Sequence, residues 1–159
     1  MGVSGVGKTA VGELLAKRLG WPFVDGDDLH PASNIRKMAA GVPLTDEDRF
    51  PWLQKIRDAI VEHAGAGRSA IVACSALKRT YRKLLLQGQP DTRLVYLRGT
   101  PDVLERRLRE RRGHFFDPNL LASQLDTMEE PEDAVVIDVD RDLGAVVNAT
   151  AVALGLAIR

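Results

Sequence analysis

The most specific chemistry in this chain lies in its first nine residues. Gly2, Gly7, Lys8 and Thr9 satisfy the spacing G-x-x-x-x-G-K-[ST], with Val3, Ser4, Gly5 and Val6 between them. Glycines let successive backbone N–H groups turn inward around a phosphate. A helix that follows adds the positive end of its dipole and its unpaired N–H groups. In such a loop Lys8 reaches the β- and γ-phosphates of a nucleotide, and the Thr9 hydroxyl ligates Mg²⁺. The plain alternative is a glycine-rich turn that binds nothing, which the joint spacing of four matched positions argues against. What is done with the nucleotide must come from elsewhere, because GTPases, ATPases and small-molecule kinases all use this loop.

A second cluster is acidic. "VDGDDLHP" crowds Asp25, Asp27, Asp28 and His30 at the end of a short apolar segment. Like charges repel there unless a cation or hydrogen-bond donors offset them, and a nucleotide-bound Mg²⁺ would do so. On an extended chain Asp25 and Asp27 face the same side. One is then suited to hold the metal through water and the other to take a proton from an attacking hydroxyl. The alternative is a solvated turn. His30 is equally a substrate hydrogen-bonding group or a cap on the turn before Pro31.

Three further groups have two readings each. Arg49, embedded in "TDEDRFPW", is either an ion-pair partner or a clamp for an anionic substrate, and the acids around it suit a helix start. Ser75, Lys78 and Arg82 in "CSALKRTYR" are spaced donors past a strand end, fit for a polyhydroxy anion or for a solvated helix start. Arg107 and Arg111 in "LERRLRERRGHFF" are four apart and share a helix face. One guanidinium can stack on a base while the other pairs with phosphate. Beside a phosphate-binding loop this makes an arginine-bearing lid with Gly113 as its flexible point, whose closure would exclude water. A solvated basic patch is the alternative.

These groups need a scaffold that brings strand ends together. Val11, Leu14, Leu15 and Leu19 fall at helical spacing, with Gly20 as a stop. "WPFVD" reads as a strand, and "SNIRKMAAG" as a small helix with Ser33 as N-cap and Gly41 beyond its end. A longer helix is expected from Pro51 to "GAG", carried by Trp52, Leu53, Ile56 and Ile60. "SAIVACSALK", "RLVYLRG" and "AVVIDVD" read as strands. Helices are expected around Tyr81, Leu84 and Leu85, from Thr100 and Pro101 onward, over about 118–129, and over about 142–156. The alternation predicts an α/β fold, a parallel sheet flanked by helices.

Composition narrows the partners. The 159 residues suffice for one domain, and 22 basic residues balance 22 acidic ones, so no broad field calls for nucleic acid or an anionic membrane. No apolar run approaches the ~18–20 residues that span a bilayer, and no leader precedes the first motif. The single Cys74 suits core packing and a reduced, cytoplasmic protein.

In order, "GVSGVGKT", "DGDDLHP", "NIRKMAAGVPLTDEDRFPWL", "CSALKRTYR", "GHFF" and "QLDTMEEP" cover the chain to about residue 131. In these the chain resembles the gluconate kinases of the small P-loop type, related in fold to shikimate and nucleoside monophosphate kinases. The resemblance implies a three-layer P-loop kinase domain over 1–159, with a substrate-binding insertion at about 28–64 and a lid at about 107–131. It implies ATP-dependent phosphorylation of D-gluconate at its terminal hydroxyl, with Mg²⁺. It places ATP phosphates on Gly2 to Thr9, the metal near Thr9 and Asp25, and catalysis on Lys8 and Asp27. Arg107 and Arg111 would contact adenine and phosphate; Asp27, His30, Arg49, Ser75, Lys78 and Arg82 would hold gluconate. Members of the family are often dimers, so a homodimer is an expectation of the resemblance alone. A kinase for another hydroxy acid or polyol is the nearest alternative reading, and a non-catalytic nucleotide-binding protein is another.

The loop poses one problem for the fold. It normally joins a buried central strand to a helix, and here Met1 stands directly against Gly2. Without that strand, facing rows of N–H and C=O groups are left unpaired at on the order of 1–3 kcal/mol each, against a domain stability of ~5–15 kcal/mol. The expectation is a natural start upstream, with Met1 an internal residue after a short apolar strand.

Overall fold

The computed structural model describes residues 1–110 and 118–158. Lys8–Leu19 forms α1, stopped by Gly20 in the left-handed conformation at φ 69°, followed by β1 at Phe23–Asp25. A 3₁₀ turn at Gly26–Leu29 carries the acids onward to α2 at Ala32–Ala39. The cap of α2 is Pro31, and Ser33 lies inside its first turn; Gly41 follows the end at φ 69°.

The next helix, α3, spans Asp46–Gly65 and begins five residues before the expected Pro51. Thr45 and Asp48 cap each other: the Asp48 N–H donates to Thr45 Oγ1 at 3.2 Å and the Thr45 N–H to Asp48 Oδ2 at 3.0 Å. This reciprocal pair satisfies the helix start without help from proline, and Pro51 is carried inside the second turn. Then follow β2 (Ile71–Ala73), α4 (Arg79–Leu86), β3 (Val95–Arg98), α5 (Pro101–Glu110), α6 (Pro118–Thr127), β4 (Val135–Asp138) and α7 (Leu143–Ala153). Strand and helix alternate as expected. Arg111 and Gly113 lie outside the described residues.

The strands form two parallel pairs. β1 runs beside β2 with Phe23 opposite Ile71, and β3 beside β4 with Val95 opposite Val135. β2 and β3 are not bonded to each other. Between them lies a cavity of about 630 Å³, lined by Ile71, Val72 and Ala73 on one side and Leu94, Val95 and Leu97 on the other. The core divides with the sheet. Trp52, Leu53, Ile56, Tyr81 and Leu85 pack around the first pair, and Leu15, Leu97, Leu104, Val139 and Val147 around the second. The parallel strands expected from the alternation stand as two half-sheets flanked by helices. Among the described residues no helix is long and apolar enough to cross a membrane.

Candidate active site

The phosphate loop is anchored on β3. The Leu97 N–H donates to the Met1 carbonyl at 2.9 Å, and the Met1 amine donates to the Val95 carbonyl at 2.6 Å. The side chains of Val3 and Val6 are buried in the core and hold the loop from below. Gly5 lies at φ 81°, and a β-carbon there would stand 2.7 Å from Leu108 Cγ. Gly7 at φ 93° immediately precedes α1, so the loop turns through the left-handed region before its amides join the helix start. Lys8 Nζ donates to the Val3 carbonyl at 3.2 Å, which brings its charge back across the loop.

Two contacts tie this loop to distant elements. The Ser4 N–H donates to Gln124 Oε1 of α6 at 2.7 Å. Arg107 of α5 donates through Nη1 to the Val6 carbonyl at 3.2 Å and through Nη2 to the Val139 carbonyl at 2.5 Å. Arg107 thus stands at the phosphate loop, on the helix that leads to the arginine-rich segment. Its forked donors bridge the loop and the end of β4.

The acidic cluster meets the loop at Thr9. The Thr9 hydroxyl donates to Asp25 Oδ2 at 2.7 Å, and the Asp27 N–H donates to Asp25 Oδ1 at 3.0 Å. Both oxygens of Asp25 are therefore fixed, and Asp27 is exposed beside them at the start of the 3₁₀ turn. A hydroxyl and a carboxylate side by side at a phosphate loop suit Mg²⁺, a hard cation that takes one or two protein oxygens and leaves the rest of its shell to phosphate and water. His30, at the other end of the turn, stacks on Trp52 with centroids 4.4 Å apart and planes 9° apart. Burial pushes the His30 pKa below its ordinary value, and Arg49 adds to this while Asp27 opposes it.

On the far side of the turn, Asp46, Lys78, Tyr81 and Arg49 form one polar group. Lys78 Nζ lies 2.7 Å from Asp46 Oδ1, and the Tyr81 hydroxyl donates to the same carboxylate. The hydrogen bond from Lys78, then that from Tyr81, holds the Asp46 carboxyl below the usual carboxylate range. The Arg49 guanidinium lies over the Tyr81 ring, 5.8 Å from its centroid, and its Nε is buried without a protein partner. Ser75 lies half-buried in the loop after β2, next to Ala76 at φ 38°. Arg82 sits beneath that loop, 5 % exposed, donating to the carbonyls of Ala76 at 3.1 Å and Leu77 at 2.8 Å. These bonds support a strained backbone position. Burial raises the Cys74 thiol to about 11, so Cys74 is neutral core, in line with its sequence reading.

The sequence readings thus divide. Lys8, Thr9, Asp25, Asp27 and Arg107 converge on the phosphate loop; His30 and Arg49 line the adjoining turn; Lys78 is paired to Asp46; Arg82 is inside the scaffold. Sequence reasoning passed over Gln124, Asn34, Trp52, Asp46 and Tyr81 as site groups. Trp52 read only as an apolar helix position, and Asp46 only as a favourable helix-start charge. Gln124 falls in the quoted "QLDTMEEP", where nothing local signals an amide aimed at residue 4.

Comparison with known proteins agrees with this geometry. The family model for shikimate kinase matches residues 4–141. The thermoresistant gluconokinase of Escherichia coli K12 is 47% identical over 154 residues, covering 94% of this chain and 88% of that one. A gluconokinase structure from Sinorhizobium meliloti is 45% identical with a TM-score of 0.86, covering 98% of this chain and 89% of that one. A sugar kinase structure from Janibacter sp. is 41% identical with a TM-score of 0.90, covering 99% and 92%. A phosphate loop joined through Thr9 to paired acids, on a fold shared at this level, gives the assignment: the chain belongs to the shikimate kinase-type P-loop kinases and, among them, to the gluconokinases.

Proposed function

We propose that this protein transfers the γ-phosphoryl group of ATP to the terminal hydroxyl of D-gluconate, giving 6-phosphogluconate and ADP. The observation that carries the reading is the Thr9–Asp25 hydrogen bond of 2.7 Å, which ties the phosphate loop to the acids with Asp27 two residues on. Backbone N–H groups of Gly2 to Thr9 hold the phosphates, and Lys8 neutralises charge on the oxygens of the group in transfer. Thr9 and Asp25 would hold Mg²⁺, which would supply neutralisation of the charge on the phosphate oxygens.

Asp27 orients the acceptor hydroxyl and receives its proton as the new P–O bond forms and the bond to ADP breaks. Because the transition state is loose, orientation carries more of the effect than basicity. Arg107, fixed at Val6, places a guanidinium at the loop, and Arg111 would act with it as part of a lid. His30, Arg49, Ser75 and Lys78 face the sugar acid, and Arg82 holds the backbone that presents the last two. The insertion at about 28–64 shapes the sugar-acid pocket, and the protein acts in the cytoplasm.

A coupled assay of ADP release against a panel of sugar acids and polyols tests the reading. Gluconate is expected to give the highest kcat/KM. A different acid preferred over gluconate would replace the substrate, and ATP binding with no transfer to any of them would replace the reaction.

A further inference from the structure

His30 is held by two elements, and each fixes a different property of its ring. Trp52 of α3 lies flat against it, and Trp52 is itself pinned by its Nε1–H donating to the Gly26 carbonyl at 2.6 Å. The plane of the imidazole is thereby set relative to the turn that carries Asp27. Asn34 of α2, one helical turn on, places its amide nitrogen 3.3 Å from His30 Nδ1. The same nitrogen lies 2.7 Å from the Asp48 carbonyl oxygen. Asn34 is only 1 % exposed, so solvent does not supply alternative partners for its NH₂.

A backbone carbonyl can only accept, so the Asn34 amide must turn its NH₂ toward Asp48; the flipped amide would set two oxygens against each other. One N–H is then used on Asp48, and the second faces His30 Nδ1. Nδ1 must accept. A neutral imidazole that accepts at Nδ1 carries its proton on Nε2, and a doubly protonated ring would set N–H against N–H. We propose that Asn34 is a positioning residue that locks His30 as the Nε2–H tautomer, a neutral donor to an oxygen of the sugar acid. The inference rests on His30 being a substrate contact. Its consequence is directional: His30 can donate to a carboxylate or hydroxyl oxygen and cannot accept from a hydroxyl through Nδ1. The charged groups facing the ring agree on balance, since burial and Arg49 of α3 outweigh Asp27 of the 3₁₀ turn.

Nitrogen NMR of the histidine rings in the whole protein at neutral pH, with His30 assigned by its loss in His30→Gln, decides the tautomer without altering Asn34. The expected result is a protonated Nε2 and an unprotonated Nδ1. A proton on Nδ1, an averaged pair of tautomers, or an imidazolium at neutral pH overturns the proposal. Two substitutions read the same point through substrate. His30→Gln places an amide near Nε2 and His30→Asn places it near Nδ1, so the gluconate KM of His30→Asn is expected to exceed that of His30→Gln about tenfold, one hydrogen bond's worth. Equal losses in the two overturn it. Asn34→Leu should also raise the gluconate KM about tenfold while leaving the ATP KM unchanged, and loss of the single-tautomer signal separates this from a general loss of structure. If the wild type fails to phosphorylate gluconate, the functional reading falls and the NMR result still stands; turnover with the proton on Nδ1 sinks this inference alone.

Discussion

Thr9, the second residue of α1, and Asp25, the last residue of β1, meet through a 2.7 Å hydrogen bond between hydroxyl and carboxylate. This contact joins the phosphate loop to the acceptor turn, and it is the place where a metal would exchange one partner for the other. Thr9→Val keeps the shape and removes the hydroxyl. The Mg²⁺ concentration giving half-maximal turnover should rise about tenfold, the effect of one lost polar ligand. An unchanged Mg²⁺ titration would show that Thr9 only orients Asp25.

Lys8 and Asp27 separate the two halves of the reaction. Lys8→Ala removes the charge that folds back over the loop and should lower kcat by about 10²–10³-fold. Asp27→Asn keeps the side-chain shape on an exposed turn, so ATP affinity should stay near wild type while kcat falls about 10–100-fold. Calorimetric ATP binding alongside steady-state rates checks both. Near-normal turnover in Asp27→Asn would remove Asp27 from the mechanism.

Arg107 links the loop to β4 through two carbonyls, Val6 and Val139. A lysine offers a single point charge and cannot reproduce that fork. Arg107→Lys should therefore raise the ATP KM and also lower stability by about 1–3 kcal/mol, since buried carbonyls lose a charged donor. Denaturant melts with and without nucleotide measure the two effects separately. An ATP KM unchanged in a destabilised variant would make Arg107 a purely structural bridge.

The cavity between β2 and β3 makes a prediction about stability and pH. The Met1 amine lies at its edge, and burial lowers its pKa from 8.0 to about 6. Between those values the unfolded chain binds a proton that the folded chain does not, so stability rises with pH, by up to about 1.4 kcal/mol per unit. The contribution is complete above pH 8 and lost as pH falls through about 6. Joining five apolar β-branched residues to Met1 turns the amine into a peptide N–H and offers a strand to both exposed edges. The pH slope should disappear, and Tm should rise by about 10–20 °C, as about five new hydrogen bonds form. Urea melts at pH 6, 7 and 8 read the slope, and an unchanged Tm in the extended chain would mean the edges are satisfied without a strand.

Much of the fold was legible because its signals are local. Apolar runs such as "AIVAC" and "RLVYL" placed β2 and β3, and Gly20 closed α1 where expected. The start of α3 was misread because Pro51 is a strong mark and the Thr45–Asp48 capping pair a quieter one. The gap between β2 and β3 was legible in the phosphate loop, which normally follows a central strand, whereas the register of each strand pair, set by partners far apart in sequence, was not. In the site, Thr9 was legible through motif spacing and Asp25 through its acidic cluster, and a contact such as Ser4 to Gln124, 120 residues apart, was not. Arg82 shows the limit of residue type: a guanidinium past a strand end suits an anion, but only the folded chain shows it turned under its own loop.

The central claim is the reaction itself. Incubation of the purified protein with ATP, Mg²⁺ and D-gluconate, followed by mass and phosphorus NMR analysis of the product, tests it most directly. The account predicts one phosphoryl group on the terminal hydroxyl of gluconate and an equal amount of ADP. ADP with inorganic phosphate and unmodified gluconate would contradict it.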